Sequence, residues 1–221
     1  MEWGEKMKTA GVNVLYSFDE IKVHSKICLI KRREAGELVR YAYFGTGNFN
    51  ESTAKIYCDH ALLTKDINLT SELDSVFEFL MGKNKNPEFK HLLVAPFTMR
   101  NEFEALIDNE IRLVKEGFVG KMTLKMNSLE DRGMIDKLYE ASNAGVKITI
   151  IVRGICCLIP GVDGMSKNIK VISIIDRYLE HGRVYIFNNN GNEKVYLASV
   201  DWMKRNLSRR VEVGFPILNK S

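Results

Sequence analysis

The sequence predicts an α/β fold in which mixed or parallel sheets are flanked by helices and two similar halves follow one another. Patterns typical of strands alternate along the chain with apolar residues at helical spacing, which is the order expected of this fold class. Residues 146–152 are apolar almost throughout, as in a strand that is covered on both faces. A short histidine motif that precedes a predicted hairpin occurs twice, at His24 and at His181.

The first half is predicted to contain a hairpin between two helices. Ser71 to Asp74 have the form of a capping box, so we expect a helix to begin there and to end near Gly82. The polar run 82–87 is the most linker-like stretch, and we place a boundary there between domains 1–86 and 87–221. The elements expected before Ser71 are a helix over 2–9, a strand over 12–16, a hairpin of strands 26–32 and 38–44, and a strand over 57–63.

The second half alternates strands and helices more regularly. Right-handed crossovers between its first strands would build a parallel sheet, and ligands bind beyond the carboxyl ends of such strands. Arg153 follows one of these strands directly. The expected elements are strands over 91–95, 121–126 and 146–152, helices over 101–115, from 128–131 to Gly145 and over 173–180, a hairpin of strands 184–187 and 195–197, and a final strand over 210–215.

Composition limits the class of protein. The chain has 221 residues, of which 45% are hydrophobic and 27% charged, as in ordinary globular proteins. A net charge of +4 suits an anionic ligand but does not by itself indicate nucleic acid. No segment reaches the roughly 20 apolar residues of a spanning helix, and no signal-peptide pattern is present. Four cysteines without CxxC spacing indicate reduced thiols, so we expect a cytoplasmic location.

The two histidine motifs are Val23-His24-Ser25-Lys26 and Glu180-His181-Gly182-Arg183. Residues i and i+2 of a strand point to the same side, so each histidine can share a pocket with the cation that follows it. Each motif is followed by a hairpin and then by a small, polar segment, 45–50 or 198–201. One His-x-cation motif can arise by chance. Two copies, each followed by a hairpin and a small, polar segment, favour phosphoryl chemistry at an interface between the halves.

The neighbours of the two histidines suggest different roles. Lys26 favours the neutral, nucleophilic form of His24. Glu180 and Asp176 would hold His181 protonated as an acid. We assign His60 and His91 to structural positions.

Arginines at strand ends are candidates for phosphate binding. Arg153 and Arg210 could clamp phosphates with planar guanidinium groups, whereas Arg209 is equally well explained as a solvated surface residue. Tyr57 could stack on a nucleobase or belong to the core. The glycine-rich segment 45–50 lacks the third glycine and the immediate helix of a dinucleotide site, and the chain has no Walker motif.

With both motifs placed, the sequence resembles the catalytic region of bacterial polyphosphate kinases of the first type, which are built on the phospholipase D-like fold. The resemblance covers nearly the whole chain. The matching stretches are 23–26, 44–50, 92–97, 125–129, 151–158, 173–181, 199–203 and 206–213.

The resemblance implies a role for each motif residue. His24 would carry the phosphoryl group between ATP and polyphosphate, and His181 would assist as acid or stabiliser. Tyr57, Arg153 and His181 would contact the nucleotide. The residues expected to contact phosphate or polyphosphate are Lys26, Asn48, Asn50, Arg183 and Arg210.

The resemblance also implies which ligands and location to expect and which parts of the family protein this chain would contain. ATP or ADP, polyphosphate and Mg²⁺ are expected, without nucleic acid, and no metal ligand is assigned in this chain because the family's magnesium residues lie upstream. The family protein would be a homo-oligomer in the cytoplasm, with peripheral membrane association left open. Residues 1–86 would complete a first phospholipase D-like domain and 87–221 would form a second, truncated one, so activity of the chain alone is an open question.

Two alternatives to a polyphosphate kinase fragment are a phospholipase D-like phosphodiesterase or nuclease and a non-catalytic polyphosphate- or nucleotide-binding fragment. Hydrolases of that fold carry an aspartate five residues after the motif cation. Here those positions hold Lys31 and Asn188, which disfavours the hydrolase.

Overall fold

The computed structural model describes residues 2–16, 18 and 21–218. The first domain was predicted to begin at residue 1 and the second to end at residue 221, and both of these ends lie outside the described residues. The helices are α1 Glu2–Thr9, α2 Glu51–Ala54, α3 Ile67–Leu80, α4 Met99–Lys115, α5 Arg132–Ala144 and α6 Lys204–Arg209. The strands are β1 Lys22–Val23, β2 Lys26–Glu34, β3 Glu37–Gly45, β4 Tyr57–Cys58, β5 Ala61–Thr64, β6 Leu93–Ala95, β7 Lys121–Met126, β8 Lys147–Val152, β9 Ile169–Ile172, β10 Leu179–Glu180, β11 Arg183–Phe187, β12 Lys194–Ala198 and β13 Arg210–Pro216.

A mixed sheet of eight strands organises the molecule. Its order is β1-β13-β12-β11-β7-β8-β9, and β6 pairs with β13 off this path. Strands β7, β8 and β9 are parallel to one another, and β1 is parallel to β13. The pairs β7–β11, β11–β12, β12–β13 and β13–β6 are antiparallel. A three-stranded antiparallel sheet, β2-β3-β5, and a parallel pair, β4 and β10, complete the fold. The predicted α/β class with mixed sheets is confirmed.

Two hydrophobic cores lie on either side of this sheet region. The larger core packs α4 and α5 against the sheet and contains Phe103, Tyr185 and Trp202, whose rings are in mutual contact. The smaller core packs α3 against β13, with Phe44 and Phe215 stacked at 5.2 Å between ring centroids. Strand β13 is buried from Val211 to Phe215, which ties the first half of the chain to the large sheet.

The predicted repeat of motif and hairpin is present. Lys26 begins β2 and pairs with Gly45 of β3, and Arg183 begins β11 and pairs with Ala198 of β12. The two hairpins differ in their surroundings, because β2 and β3 belong to the small sheet and β11 and β12 to the large one.

Several elements differ from their predictions. Residues 12–16 form no strand, and 57–63 is divided into β4 and β5. Helix α3 begins at Ile67 because Asp66 caps it, accepting hydrogen bonds from two backbone N–H groups at 2.9 and 3.0 Å. The predicted helix over 173–180 is absent: Ile175 is 91% exposed, and only Leu179–Glu180 is regular, as β10. No helix in the described part of the chain is long and apolar enough to cross a membrane.

Candidate active site

His24 lies between β1 and β2 at the edge of the large sheet. Its backbone N–H donates to the carbonyl of Val211 at 2.9 Å, which fixes the motif to β13. Its Nδ1 lies 2.9 Å from Oε2 of Glu212. A carboxylate can only accept a hydrogen bond, so Nδ1 carries the proton. In the neutral ring Nε2 then keeps its lone pair, which is the state that a nucleophile requires.

Glu212 is fully buried and is held in place by three donors. Besides His24, the Ser199 hydroxyl donates to Oε2 and the Asn206 amide donates to Oε1 at 2.7 Å. Ser199 belongs to segment 198–201, the small, polar segment that follows the second histidine motif. Through Glu212, this segment helps to hold His24, the histidine of the first motif. A carboxylate satisfied in this way fixes the orientation of the imidazole.

His181 follows the short strand β10 and faces the first half of the chain. Its Nδ1 lies 2.8 Å from Oδ1 of Asp59, and the Tyr57 ring lies 4.8 Å from its ring centroid. Burial raises the pKa of Asp59, but hydrogen bonds from His181 and Thr46 outweigh burial and lower that pKa overall. The carboxylate beside His181 is therefore Asp59, in place of the predicted Glu180 and Asp176. Glu180 instead pairs with Lys125 at 3.1 Å.

Arg183 joins the two motifs. Its side chain is buried, and its guanidinium donates to Asp201 at 3.1 and 3.2 Å and to the carbonyl of Thr46 at 3.3 Å. Its Nη1 also lies 3.0 Å from Nε2 of His181. Since these contacts use most of its donors, the arrangement favours a positioning role for Arg183, and its contact with phosphate stays a prediction.

Lys26 is the buried cation of the first motif. Its ammonium group donates to the backbone carbonyl of His24. Burial lowers the pKa of Lys26 from 10.5 to about 8; the positive charge of Arg183 reinforces this shift, and the negative charge of Glu212 opposes it. The side chain therefore titrates close to neutral pH.

We expect the affinity of the chain for polyphosphate to fall as the pH rises through about 8, because Lys26 then loses the charge that attracts phosphate. Unfolding does not explain such a loss. The depressed pKa means that the unfolded state binds the extra proton, so this group makes the folded state more stable as the pH rises from about 8 to 10.5. Titration of labelled polyphosphate at pH values on either side of about 8 measures the effect.

The control for this prediction is Lys26→Met, which should bind more weakly than the parent at neutral pH and should lose the decline near pH 8. A decline of equal size in Lys26→Met would contradict the assignment.

Arg153 lines an open cavity of about 440 Å³ together with Ile56, the residue before Tyr57. The Arg153 Nε donates to Oδ1 of Asn127 at 2.9 Å, and the Asn127 amide donates to the carbonyl of His181 at 3.1 Å. Tyr57 is linked to His181 by the contact between their rings. Contact of these three residues with a nucleotide stays a prediction.

The remaining predicted phosphate contacts occupy different places. Arg210 begins β13, and its positive charge contributes to the lowered pKa of Lys26. Asn48 is exposed after β3. Asn50 is the N-cap of α2, and its side-chain oxygen accepts from the Thr53 N–H at 3.0 Å, which leaves only its amide nitrogen for a ligand. Contact of these residues with phosphate stays a prediction.

Sequence reasoning missed three parts of the site: Glu212, Asp59 and the role of Gly47. A Cβ atom on Gly47 would lie 2.1 Å from Oδ2 of Asp59, so the glycine makes room for the carboxylate that binds His181. The glycine pattern after β3 was a usable signal for such a close approach. His60, predicted to be structural, is exposed, and its ring lies against Gly182 between the second histidine and Arg183.

The described residues contain no group of three or more His, Cys, Asp or Glu side chains that could hold a metal ion. The two carboxylates nearest the histidines, Asp59 and Glu212, are each already bonded to an imidazole and a hydroxyl. These residues do not fit a magnesium site.

Two family models match the chain: "Polyphosphate kinase C-terminal domain 2" over residues 92–221 and "Polyphosphate kinase C-terminal domain 1" over residues 1–86. The chain belongs to the polyphosphate kinase family. The polyphosphate kinase of Escherichia coli strain K12 is 48% identical over 219 residues, which are 99% of this chain and 32% of that protein. That of Bacillus anthracis is 47% identical over 219 residues, 99% of this chain and 31% of that protein.

Solved structures agree with this assignment. The crystal structure of polyphosphate kinase from Porphyromonas gingivalis aligns with a TM-score of 0.93 at 44% identity, covering 99% of this chain and 34% of that one. The chain thus spans about a third of the length of the relatives that it matches. A weaker likeness, with a TM-score of 0.42 and 16% identity, is to the phospholipase D family member Nuc from Salmonella typhimurium. The predicted family and its α/β fold are confirmed.

Proposed function

We propose that this chain is the phosphohistidine-bearing part of a polyphosphate kinase, which transfers the terminal phosphoryl group of ATP reversibly to polyphosphate through His24. The observation that carries this proposal is the bond between Nδ1 of His24 and Glu212, which leaves Nε2 as the nucleophilic nitrogen. Buried Lys26, which donates to the His24 carbonyl, and buried Arg183, whose charge acts on Lys26, bring positive charge to the same region. Phosphoryl transfer depends mainly on such positioning and charge neutralisation.

The reaction proceeds in two displacements. The lone pair on Nε2 of His24 attacks the γ-phosphorus of ATP, the bond to the bridging β–γ oxygen breaks, and that oxygen leaves with the electron pair as part of ADP. A terminal oxygen of polyphosphate then attacks the phosphohistidine, and the P–N bond breaks to restore the imidazole. We assign His181, oriented by Asp59, to stabilise the leaving oxygen or to donate a proton to it. Either role requires a protonated Nε2 that has moved away from the Arg183 guanidinium, which lies 3.0 Å from it here.

The ligands follow from this assignment. Tyr57, Arg153 and His181 bind the nucleotide, and Lys26, Arg210, Asn48 and Asn50 are placed along the phosphates. Mg²⁺ would be bound by the phosphates of the nucleotide, since the described residues offer no ligand group for it. The complete protein is a homo-oligomer of the cytoplasm, where ATP is available.

The test uses ATP labelled in its γ-phosphate, with Mg²⁺, and looks for acid-labile, base-stable label on the protein. We expect label on His24 by mass spectrometry, loss of label in His24→Ala and retention in the control His91→Ala, whose side chain is exposed outside the site. Label that persists in His24→Ala would refute the assignment. Hydrolysis of a phosphodiester without label would establish a phosphodiesterase instead, and polyphosphate binding without label a non-catalytic fragment.

A further inference from the structure

Three exposed cations, Lys204, Arg205 and Arg209, line one open groove of about 510 Å³ beside α6. Some exposed cations elsewhere, such as Lys55 and Lys167, pair with a nearby carboxylate and others do not, so what distinguishes this groove is that three cations line it together. Within the described ranges none of the three groove cations has a carboxylate within ion-pair distance, and Arg205 donates only to the Met203 sulfur at 3.6 Å. The groove is therefore an uncompensated positive surface.

Among the described residues, Glu130 is the one acidic residue that lines the groove, and a backbone N–H group already binds its carboxylate. One carboxylate oxygen accepts a hydrogen bond from the Lys204 backbone N–H at 3.3 Å. Three cations thus face a single carboxylate, and the remaining lining residues, Ile155 and Met203, are apolar. A ligand with several closely spaced negative charges fits this arrangement best.

The groove is connected to the His24 site through α6. The buried face of this helix carries Asn206, whose amide donates to Glu212 at 2.7 Å, and the exposed face carries the cations. Helix α6 ends at Arg209, where β13 begins with Arg210, and the next carbonyl, that of Val211, accepts from the His24 N–H. A chain of phosphates that runs from His24 past Arg210 along the surface of α6 would meet Arg209 next.

We propose that this groove binds the distal part of the polyphosphate chain while its end reacts at His24, an inference that rests on the function proposed above. Guanidinium groups bind phosphate oxygens in pairs, and successive phosphates present such oxygens continuously. A single-stranded nucleic acid is the other polyanion to consider. Its binding normally uses aromatic side chains on which bases stack, and the groove has none among its lining residues.

The test compares the parent chain with the triple variant Lys204→Gln, Arg205→Gln, Arg209→Gln. Fluorescently labelled long-chain polyphosphate and tripolyphosphate are titrated at several salt concentrations. We expect the variant to bind the long chain about 10- to 100-fold more weakly, with the slope of log affinity against log salt reduced by about 2 to 3. Tripolyphosphate, whose three phosphates can be held at the His24 end alone, should lose much less affinity than the long chain.

The matched control removes three exposed lysines outside the groove, Lys115→Gln, Lys170→Gln and Lys194→Gln, and so changes the net charge equally. If both triple variants lose the same affinity, the effect is general charge and the proposed site is refuted. Oligothymidylate of matched charge is titrated in the same way. If it binds the parent as tightly as polyphosphate and binds the groove variant more weakly, the groove is a nucleic-acid surface instead.

Labelling of His24 by ATP separates this inference from the proposed function. Retained labelling with unchanged long-chain binding in the groove variant would overturn the groove alone, whereas absent labelling in the parent chain overturns the proposed function. Circular dichroism of each variant shows whether the fold is retained.

Discussion

Replacement of Glu212 with glutamine should slow the phosphorylation of His24 by roughly 100- to 10,000-fold, the range seen when a carboxylate that orients a catalytic histidine becomes an amide. Glutamine keeps the size of the side chain but can donate to Nδ1, which then loses its proton to Nε2. The ring is then in the wrong tautomer to attack phosphorus. The Ser199 hydroxyl and the Asn206 amide both donate to the carboxylate. The NH₂ group of a glutamine cannot accept these hydrogen bonds, so either orientation of its amide leaves a donor without its acceptor.

The measurements are the rate of label incorporation from ATP and the tautomer of His24 by nitrogen NMR. The second readout reports on orientation even if turnover is slow. Glu110→Gln is the matched control: Glu110 is also fully buried and accepts from the Lys121 and Asn189 N–H groups at 3.0 and 2.6 Å. It should lose stability while the His24 tautomer stays unchanged. An unchanged tautomer in Glu212→Gln would refute the positioning role.

The regular elements were predictable where local pattern and tertiary packing agree. Strands β7 and β8 and helix α5, capped at Asp131 and ended by Gly145, lie close to their predictions because each buries the face that its sequence makes apolar. Residues 173–180 show the opposite case. Their isoleucines face solvent at the rim of the Arg153 cavity, so tertiary context overrides an apolar spacing that alone favours a helix.

The site was predictable in its motifs but not in its partners. His24 and His181 could be found because each stands in a short local pattern. The partner of His24 lies 188 residues away along the chain and that of His181 lies 122 residues away, so no local pattern links them. Only the pairing of β1 with β13 and of β4 with β10 brings these carboxylates to the imidazoles.

Replacement of Gly47 with alanine should slow His24 labelling by roughly 10- to 100-fold, the usual effect of losing a group that orients a functional histidine. The added Cβ would lie 2.1 Å from Oδ2, 2.3 Å from Cγ and 2.7 Å from Cβ of Asp59. Because the Cβ of Asp59 belongs to the clash, rotation of the carboxylate alone does not relieve it. Asp59 must move away from Nδ1 of His181, which loses its fixed orientation, and from the Thr46 hydroxyl, which now donates to it at 2.7 Å.

A double-mutant cycle with Asp59→Gly isolates this mechanism, since glycine at position 59 removes every atom that the new methyl group meets. Asp59→Gly alone should slow labelling by a similar factor, and Gly47→Ala should add almost nothing in that background. Rates that multiply in the double variant would mean that Gly47 acts through its own backbone. The glycine after β3 would then serve the phosphates directly, and its role as the space for Asp59 would be wrong.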